Sequence, residues 1–335
     1  MSPERALLWV GLSAGLLFVA LTPPFQAPDE PSHFRRIYQM SEGTLFPSRG
    51  GEGSLPESVV RLGETLRGDL PFHPEKRADP RALAAAFSQP LNAAQRIPAR
   101  VGGAVYSTPF LYLPQALTAW VARQLDLPPL FLFYLCRLVN LATGLALAWA
   151  AVRRAPFYRW LFVLLALDPM ALFLRSSLSP DASVDALALF FVATVLALAA
   201  GEAKPAPGSL AALLGSAALL ALSKGAVYLL VPAAALLIPA CRLGGRRRAA
   251  AVFGALFALT FGGVALAGWA ARRADFPGLR PEVATDPAAQ LQHILAHPGH
   301  FLEVISKSAL LQGPGIAFQL VGNLGWLDTP LPKLA

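Results

Sequence analysis

PLFLFYLCRLVNLATGLALAWAAV, residues 129–152, is the stretch that decides the fold class. Arg137 is its one charged residue, and as a helix it is long enough to cross a bilayer hydrocarbon core of about 30 Å. Further apolar runs read the same way: Ala6 to Leu21, Phe157 to Leu174, Pro180 to Ala200 and Ala249 to Ala271. Ser209 to Ala240 is interrupted by Ser223-Lys224-Gly225. As one helix it would overshoot the hydrocarbon by about half, so it reads as two short spans meeting at Lys224. Of the 335 residues, 55% are hydrophobic and 14% charged, with mean hydropathy +0.51; an average soluble domain is roughly a quarter charged. The expectation is an all-α fold, a polytopic transmembrane helical bundle, making a single transmembrane domain over residues 1–335.

The first run reads as a retained anchor and not a cleaved signal peptide, because no small-x-small site precedes Thr22-Pro23-Pro24. A polar first loop follows, about 24–107, and a half-polar segment closes the chain, about 272–335. Helix signals mark Asp29 to Gly43, and an amphipathic helix is expected near Pro298 to Leu311. Spacings of three and four from Phe110 to Leu125 suit an interfacial helix, with a span as the alternative. Arg153, Arg154 and Arg159 mark one short basic loop, and Arg242 with Arg246 to Arg248 another. Seven spans and a cytoplasmic N-terminus put both basic loops inside, as the positive-inside rule asks. The first loop, the Ser176 to Asp181 turn, Lys224 and the segment after Arg272 then share the outer side, with Arg272 and Arg273 opposing the rule. Trp326, Leu327 and Pro330 to Pro332 look like the approach to another span, so the chain reads as truncated before further C-terminal spans.

The net charge of +8 is scattered over short loops without a basic face, which argues against nucleic acid as a partner. Cys136 and Cys241 support neither a disulfide framework nor a cysteine metal site.

The sharpest local signal is Pro28-Asp29-Glu30-Pro31-Ser32-His33-Phe34-Arg35-Arg36, just past the first span. In a helix it puts Asp29, His33 and Arg36 on one face and Glu30, Phe34 and Ile37 on the adjoining one. Asp29 as a plain N-cap, with Glu30 complementing the helix dipole, is one reading. The other makes Asp29 a general base that accepts a proton from an attacking hydroxyl, with His33 or Arg36 holding a phosphate leaving group. Ser179-Pro180-Asp181 begins a later span on the same side, and Asp185 lies one turn deeper on the same face, where ionisable groups usually mark a cavity. Asp168, inside the preceding span and followed by Pro169, is a weaker candidate that a kink and a pairing with Arg175 would explain. Lys224 either snorkels to the interface or meets a lipid phosphate. Arg137 and Asn140 either line the outer cavity or bond to neighbouring helices. Paired carboxylates leave a divalent cation open as cofactor, without a ligand set; the metal is unknown.

These residues resemble the bacterial multi-pass family catalogued as domain of unknown function 2142. The resemblance spans nearly the whole chain. It rests on Pro28 to Arg35 through Tyr38 and Gly43, on Tyr112-Leu113-Pro114-Gln115, Arg137-Leu138-Val139-Asn140, Pro169-Met170 and Ser179-Pro180-Asp181, and on Gly322 to Pro332 with Gly325-Trp326-Leu327-Asp328. That family is similar to the C-type glycosyltransferases, which take sugars from polyprenyl-phosphate carriers and place an acidic residue of the first outer loop at the reaction centre. The similarity implies a C-type glycosyltransferase-like bundle in the bacterial inner membrane with its site facing the periplasm or exterior. Asp29 would be the catalytic carboxylate, Glu30 its partner. Trp326 and Asp328 join the substrate-binding set on the same grounds. Members of the family usually continue with further spans.

The expected function is an inverting transfer of a monosaccharide from a polyprenyl-phosphate carrier to a cell-envelope glycan or lipid acceptor, with membrane lipids as surroundings. Asp29 is the base, Lys224 and an Arg hold the donor phosphate, and Asp181 and Asp185 orient acceptor hydroxyls or a cation. The rivals are a transporter or flippase of lipid-linked saccharide, and a non-catalytic subunit of an envelope-assembly complex.

Overall fold

The computed structural model describes residues 1–46, 48–201, 205–224, 228–274 and 286–332. Ser2 opens the first helix, α1 (Pro3–Leu21), by accepting the Arg5 N–H at 3.4 Å, with Pro3 at the first helical position. The first loop then folds into α2 (Glu30–Ser41), β1 (Glu52–Pro56), α3 (Glu57–Arg67), α4 (Pro80–Ala86), β2 (Arg96–Arg100) and α5 (Leu113–Gln124). Strands β1 and β2 pair antiparallel with Leu55 opposite Ile97. The loop has its own apolar core. Phe25, Phe34, Leu55, Val59 and Leu62 are buried with Phe133 from the next span, and the Phe133 ring lies 4.7 Å from that of Phe25 and 5.4 Å from that of Phe34. The loop is thereby fixed on the end of the bundle, called here the loop face. Helix α5, at 12 residues too short to cross, buries Gln115, Ala116, Ala119 and Ala122 and turns Leu117, Trp120 and Val121 outward, the pattern of an interfacial helix.

Behind the loop come α6 (Pro129–Arg154), α7 (Arg159–Ala166), α8 (Pro169–Arg175), α9 (Asp181–Ala200), α10 (Pro207–Lys224), α11 (Val231–Ala235) and α12 (Arg246–Ala274). Helix α6 is central, packed against α1, α5 and α9. Gly11 and Gly15 make the close approach of α1 possible: a Cβ at Gly15 would stand 2.6 Å from Leu141 Cδ1, and one at Gly11 2.7 Å from Leu145 Cδ2. Small residues four apart let membrane helices meet backbone to backbone.

Among the described residues, four helices are long and apolar enough to cross a membrane: Pro3–Leu21, Pro129–Arg154, Asp181–Ala200 and Arg246–Arg272. Two expected spans are not single helices. The run from Phe157 to Leu174 is the two short helices α7 and α8, because Pro169 interrupts the ladder and Asp168 caps the second piece by accepting the Ala171 N–H at 3.4 Å. Both pieces pack on α1 and follow it between the two faces. The second half of Ser209 to Ala240 is the five-residue α11 followed by turns to Gly244 and Gly245, whose φ of 90° and 104° no other residue type adopts readily. Helix α10 ends at the loop face beside the start of α9, while α12 ends there against the first loop. The two therefore run the same way, and residues 228–245 carry the chain back between them without a helix of span length.

The C-terminal segment contains α13 (Pro287–Ala296), α14 (Pro298–Gly322) and a small hairpin, β3 (Asn323–Leu324) with β4 (Thr329–Pro330). The helix expected to end near Leu311 continues through Pro314 to Gly322, and Gly322 is its one buried residue. It docks by its end on α8.

Candidate functional site

The geometry of Asp29 and Glu30 follows from the turn that leaves α1. After Pro23-Pro24 the chain reverses with Phe25 at φ 67° and Asp29 at φ 58°, left-handed conformations that cost a non-glycine residue about 1 kcal/mol or more. They persist because neighbouring groups fix the turn. Glu30 is fully buried and accepts four hydrogen bonds: from Arg137 Nε and Nη2, both at 2.8 Å, from the Phe25 N–H at 2.9 Å and from the Leu178 N–H at 3.1 Å. Arg137, also fully buried, donates further to the carbonyls of Thr22 at 2.7 Å, Pro23 at 3.1 Å and Val19 at 3.4 Å. The pair joins the end of α1, the start of α2, α6 and the turn before α9. Its hydrogen-bonding capacity is used up internally, which makes it a brace.

Asp29 is the opposite case. It precedes α2 in the N-cap position, yet its side chain makes no capping bond and it is exposed. Its left-handed backbone carries the carboxylate away from the helix N–H groups, so the plain capping role does not describe it. One turn along α2, His33 Nδ1 lies 2.7 Å from the Tyr112 hydroxyl. Burial holds the Tyr112 hydroxyl well above its ordinary pKa, against the hydrogen bond with Ser107 and the Arg36 charge that lower it, and the carboxylates of Asp181 and Asp29 raise it further. His33, Arg36, Asp181 and Asp29 thus each act on the Tyr112 hydroxyl at the loop face, although Asp29, left-handed and ahead of α2, is not on the helical face with His33 and Arg36 that the sequence suggests. The adjoining face, with Glu30, Phe34 and Ile37, is buried.

Arg36 is fully buried; its guanidinium donates to the Thr44 carbonyl at 3.0 Å, to the Leu45 carbonyl and to Gln39 Oε1 at 3.4 Å. Burial pulls its pKa down to about 10, with only Tyr112 acting in the other direction. Asn140 is also fully buried: its Nδ2 donates to the Ser177 carbonyl at 2.8 Å and the Ser179 carbonyl at 3.1 Å, and its Oδ1 accepts from Gln115. It sets the turn that presents Asp181, whose N–H is received by Ser179 Oγ at 3.2 Å.

Asp185 pairs with the buried Arg175 guanidinium. Arg175 lies over Gly144 of α6, where a Cβ would be 2.8 Å from its Cγ. The pairing foreseen for Asp168 belongs to Asp185. Both Asp181 and Asp185 are felt at Tyr228, whose hydroxyl burial pushes up. Lys224 is the last residue of α10, and its side chain lies outside the described residues.

Trp326 and Asp328 belong to the turn of the C-terminal hairpin, which meets the chain reversal before α2. Trp326 Nε1 donates to the Phe25 carbonyl at 3.1 Å, its ring meets Phe72 edge-on at 5.8 Å, and the Arg67 guanidinium lies 5.1 Å above it. Asp328 Oδ1 receives the Trp326 N–H and the Thr329 hydroxyl, both at 3.0 Å. The hairpin clasps the turn that carries Asp29. Among the described residues no group of three or more His, Cys, Asp or Glu side chains is arranged to hold a metal ion, so the divalent cation left open by the sequence has no ligand set there.

Tyr112 and Tyr228 were not singled out as site residues from sequence. The signal available for Tyr112 was its place in the Tyr-Leu-Pro-Gln run; Tyr228 had none.

The family described as predicted membrane protein (DUF2142) matches residues 12–335. No curated protein and no solved structure matches the chain.

Proposed function

The chain belongs to the DUF2142 family of predicted membrane proteins, and on that premise we propose that it is a membrane glycosyltransferase which moves a monosaccharide from a polyprenyl-phosphate carrier to a cell-envelope glycan or lipid acceptor. The observation that carries the reading is Asp29: an exposed carboxylate, held at φ 58° without a capping bond, on a turn braced by the buried Glu30 and Arg137. Strain kept in place by its surroundings is a mark of functional positions.

In the proposed reaction the acceptor hydroxyl gives its proton to the Asp29 carboxylate as its oxygen bonds to the anomeric carbon. The bond from that carbon to the phosphate oxygen breaks, and the electron pair leaves with the polyprenyl phosphate, inverting the configuration. Arg36, two turns along α2, supplies positive charge for the departing phosphate. Asp181 orients acceptor hydroxyls. Glu30 takes a positioning role in place of the partner carboxylate expected from sequence, since its four bonds leave it no part in proton transfer.

The basic turns at Arg153 to Arg159 and at Arg246 to Arg248 lie at the face opposite the loop. The positive-inside rule then supports a bacterial inner-membrane orientation with the loop face outward, where lipid-linked sugars meet envelope acceptors. The test is transfer in vitro: purified protein, a polyprenyl-phosphate sugar labelled in the sugar, and envelope lipid or glycan as acceptor. Label should move with wild type and not with Asp29→Asn; equal transfer by both would refute the assignment of the base.

A further inference from the structure

A cavity of about 730 Å³ lies between the last turns of α12 and the first loop. Its size is that of a small-molecule site. Arg36 lines it from α2, Phe46 and Thr108 from the loop, and Trp269 and Arg272 from α12. Two of these residues carry buried polar atoms that no group among the described residues satisfies: Arg36 Nε and Thr108 Oγ1. Arg36 is also a fully buried cation whose bonds go to carbonyls and an amide, and among the described residues no carboxylate pairs with it. An uncompensated buried charge is costly, and buried polar groups left unpaired are rare unless a ligand completes them.

The wall facing Arg36 argues for the kind of anion. Helix α12, apolar enough to cross a membrane, gives the cavity Ala267, Trp269 and Ala270, and Leu266 and Phe261 lie exposed on the turns before them. A soluble anion has no use for such a wall, whereas a lipid chain does. Arg272 stands exposed at the end of α12 beside the cavity; a basic residue on this face opposes the charge rule for orientation but suits a phosphate arriving from the membrane.

We propose that this cavity binds the head of a lipid phosphate, with the phosphate between Arg36, Thr108 and Arg272 and the chain leaving along the outward face of α12. The site rests on the functional reading above only for its occupant, the polyprenyl-phosphate carrier; the anion site itself follows from Arg36 and Thr108.

The test is binding to the full chain in phosphatidylcholine nanodiscs, read by native mass spectrometry, with polyprenyl monophosphate, polyprenol, phosphatidylglycerol and inorganic phosphate as probes. Polyprenyl monophosphate should bind at least about tenfold more tightly than polyprenol, since a charge-assisted contact to phosphate is worth that much. Arg36→Gln should lose roughly the same factor and Thr108→Val a few-fold, the size of a single hydroxyl contact. Thr108→Val keeps the side-chain shape and carries the test if Arg36→Gln does not fold. Phosphatidylglycerol binding as well as the polyprenyl phosphate would keep the lipid-phosphate site and give it to bilayer lipid. Polyprenol binding equally well, inorganic phosphate competing as strongly as the lipid, or Thr108→Val binding unchanged would each overturn the proposal. Envelope glycan analysis of Asp29→Asn is independent of these outcomes, so loss of the cavity site and loss of the transferase reading remain distinguishable.

Discussion

Glu30 and Arg137, from helices 107 residues apart in sequence, face each other through two parallel hydrogen bonds of 2.8 Å with both side chains fully buried. Arg137 also donates to the carbonyls of Val19, Thr22 and Pro23 where α1 ends, so one guanidinium closes α1, opens α2 and anchors both to α6. Removing one member of such a pair strands a buried charge, at a cost of about 3–5 kcal/mol. Arg137→Met should therefore fail to accumulate or should melt far below wild type in detergent. The double variant Glu30→Leu with Arg137→Met should stay destabilised, because the carbonyls of Val19 and Thr22 would still lack donors; full recovery in the double variant would contradict this role.

Asp29→Asn and Asp29→Ala should separate backbone from chemistry. Asparagine tolerates the left-handed conformation as aspartate does, so Asp29→Asn should keep its stability within about 0.5 kcal/mol. Alanine should lose about 1 kcal/mol to strain at φ 58°. Both should lower transfer by about 10²-fold or more, the usual contribution of a general base. Thermal unfolding and initial rates measured side by side check the two parts.

Gly144→Ala tests how Asp185 is held. The added methyl would lie 2.8 and 2.9 Å from Cγ and Cδ of Arg175, forcing that side chain off its bonds to Asp185 and the Ala166 carbonyl. Overpacking of this kind costs about 1–3 kcal/mol. A melting temperature equal to wild type would show that Arg175 is not confined there.

Tyr112→Phe carries a pH signature. The folded protein holds the Tyr112 hydroxyl protonated well above its ordinary pKa of 10.0, while the unfolded chain releases that proton near 10. Above pH 10 the folded state therefore binds more protons, and stability owed to this group is present below pH 10 and falls as pH rises beyond it. Below pH 10 Tyr112→Phe should be less stable by about 1–2 kcal/mol, because His33 loses a buried partner. Above pH 10 the gap should narrow. A gap independent of pH in unfolding measurements would contradict the assignment.

The long apolar runs at Pro129, Pro180 and Ala249 were legible because burial in lipid demands one property over some twenty residues. Breaks within apolar segments were legible only in part. Lys224 marked the end of α10, but Pro169 with the Asp168 cap, and Pro232 with Gly244 and Gly245, acted against runs whose hydropathy still reads as continuous. That His33 and Arg36 fall one turn apart on α2 could be read from helical periodicity, which is local; the left-handed turn at Asp29 could not. What Glu30 and Arg137 do to each other could not be, since it depends on two helices meeting, and adjacent acids in sequence carry no sign of which one turns inward. The core of the first loop was hidden for a similar reason: Phe25, Phe34, Leu55 and Leu62 are dispersed among charged residues and come together only through the β1 and β2 pairing and the approach of Phe133.

The most direct test of the central claim is mass spectrometry of envelope glycans from a strain lacking this protein, complemented with wild type or with Asp29→Asn at equal membrane abundance. The account predicts that the deletion removes one sugar unit from an envelope glycan, that wild type restores it, and that Asp29→Asn does not. Restoration of the full glycan by Asp29→Asn would contradict it.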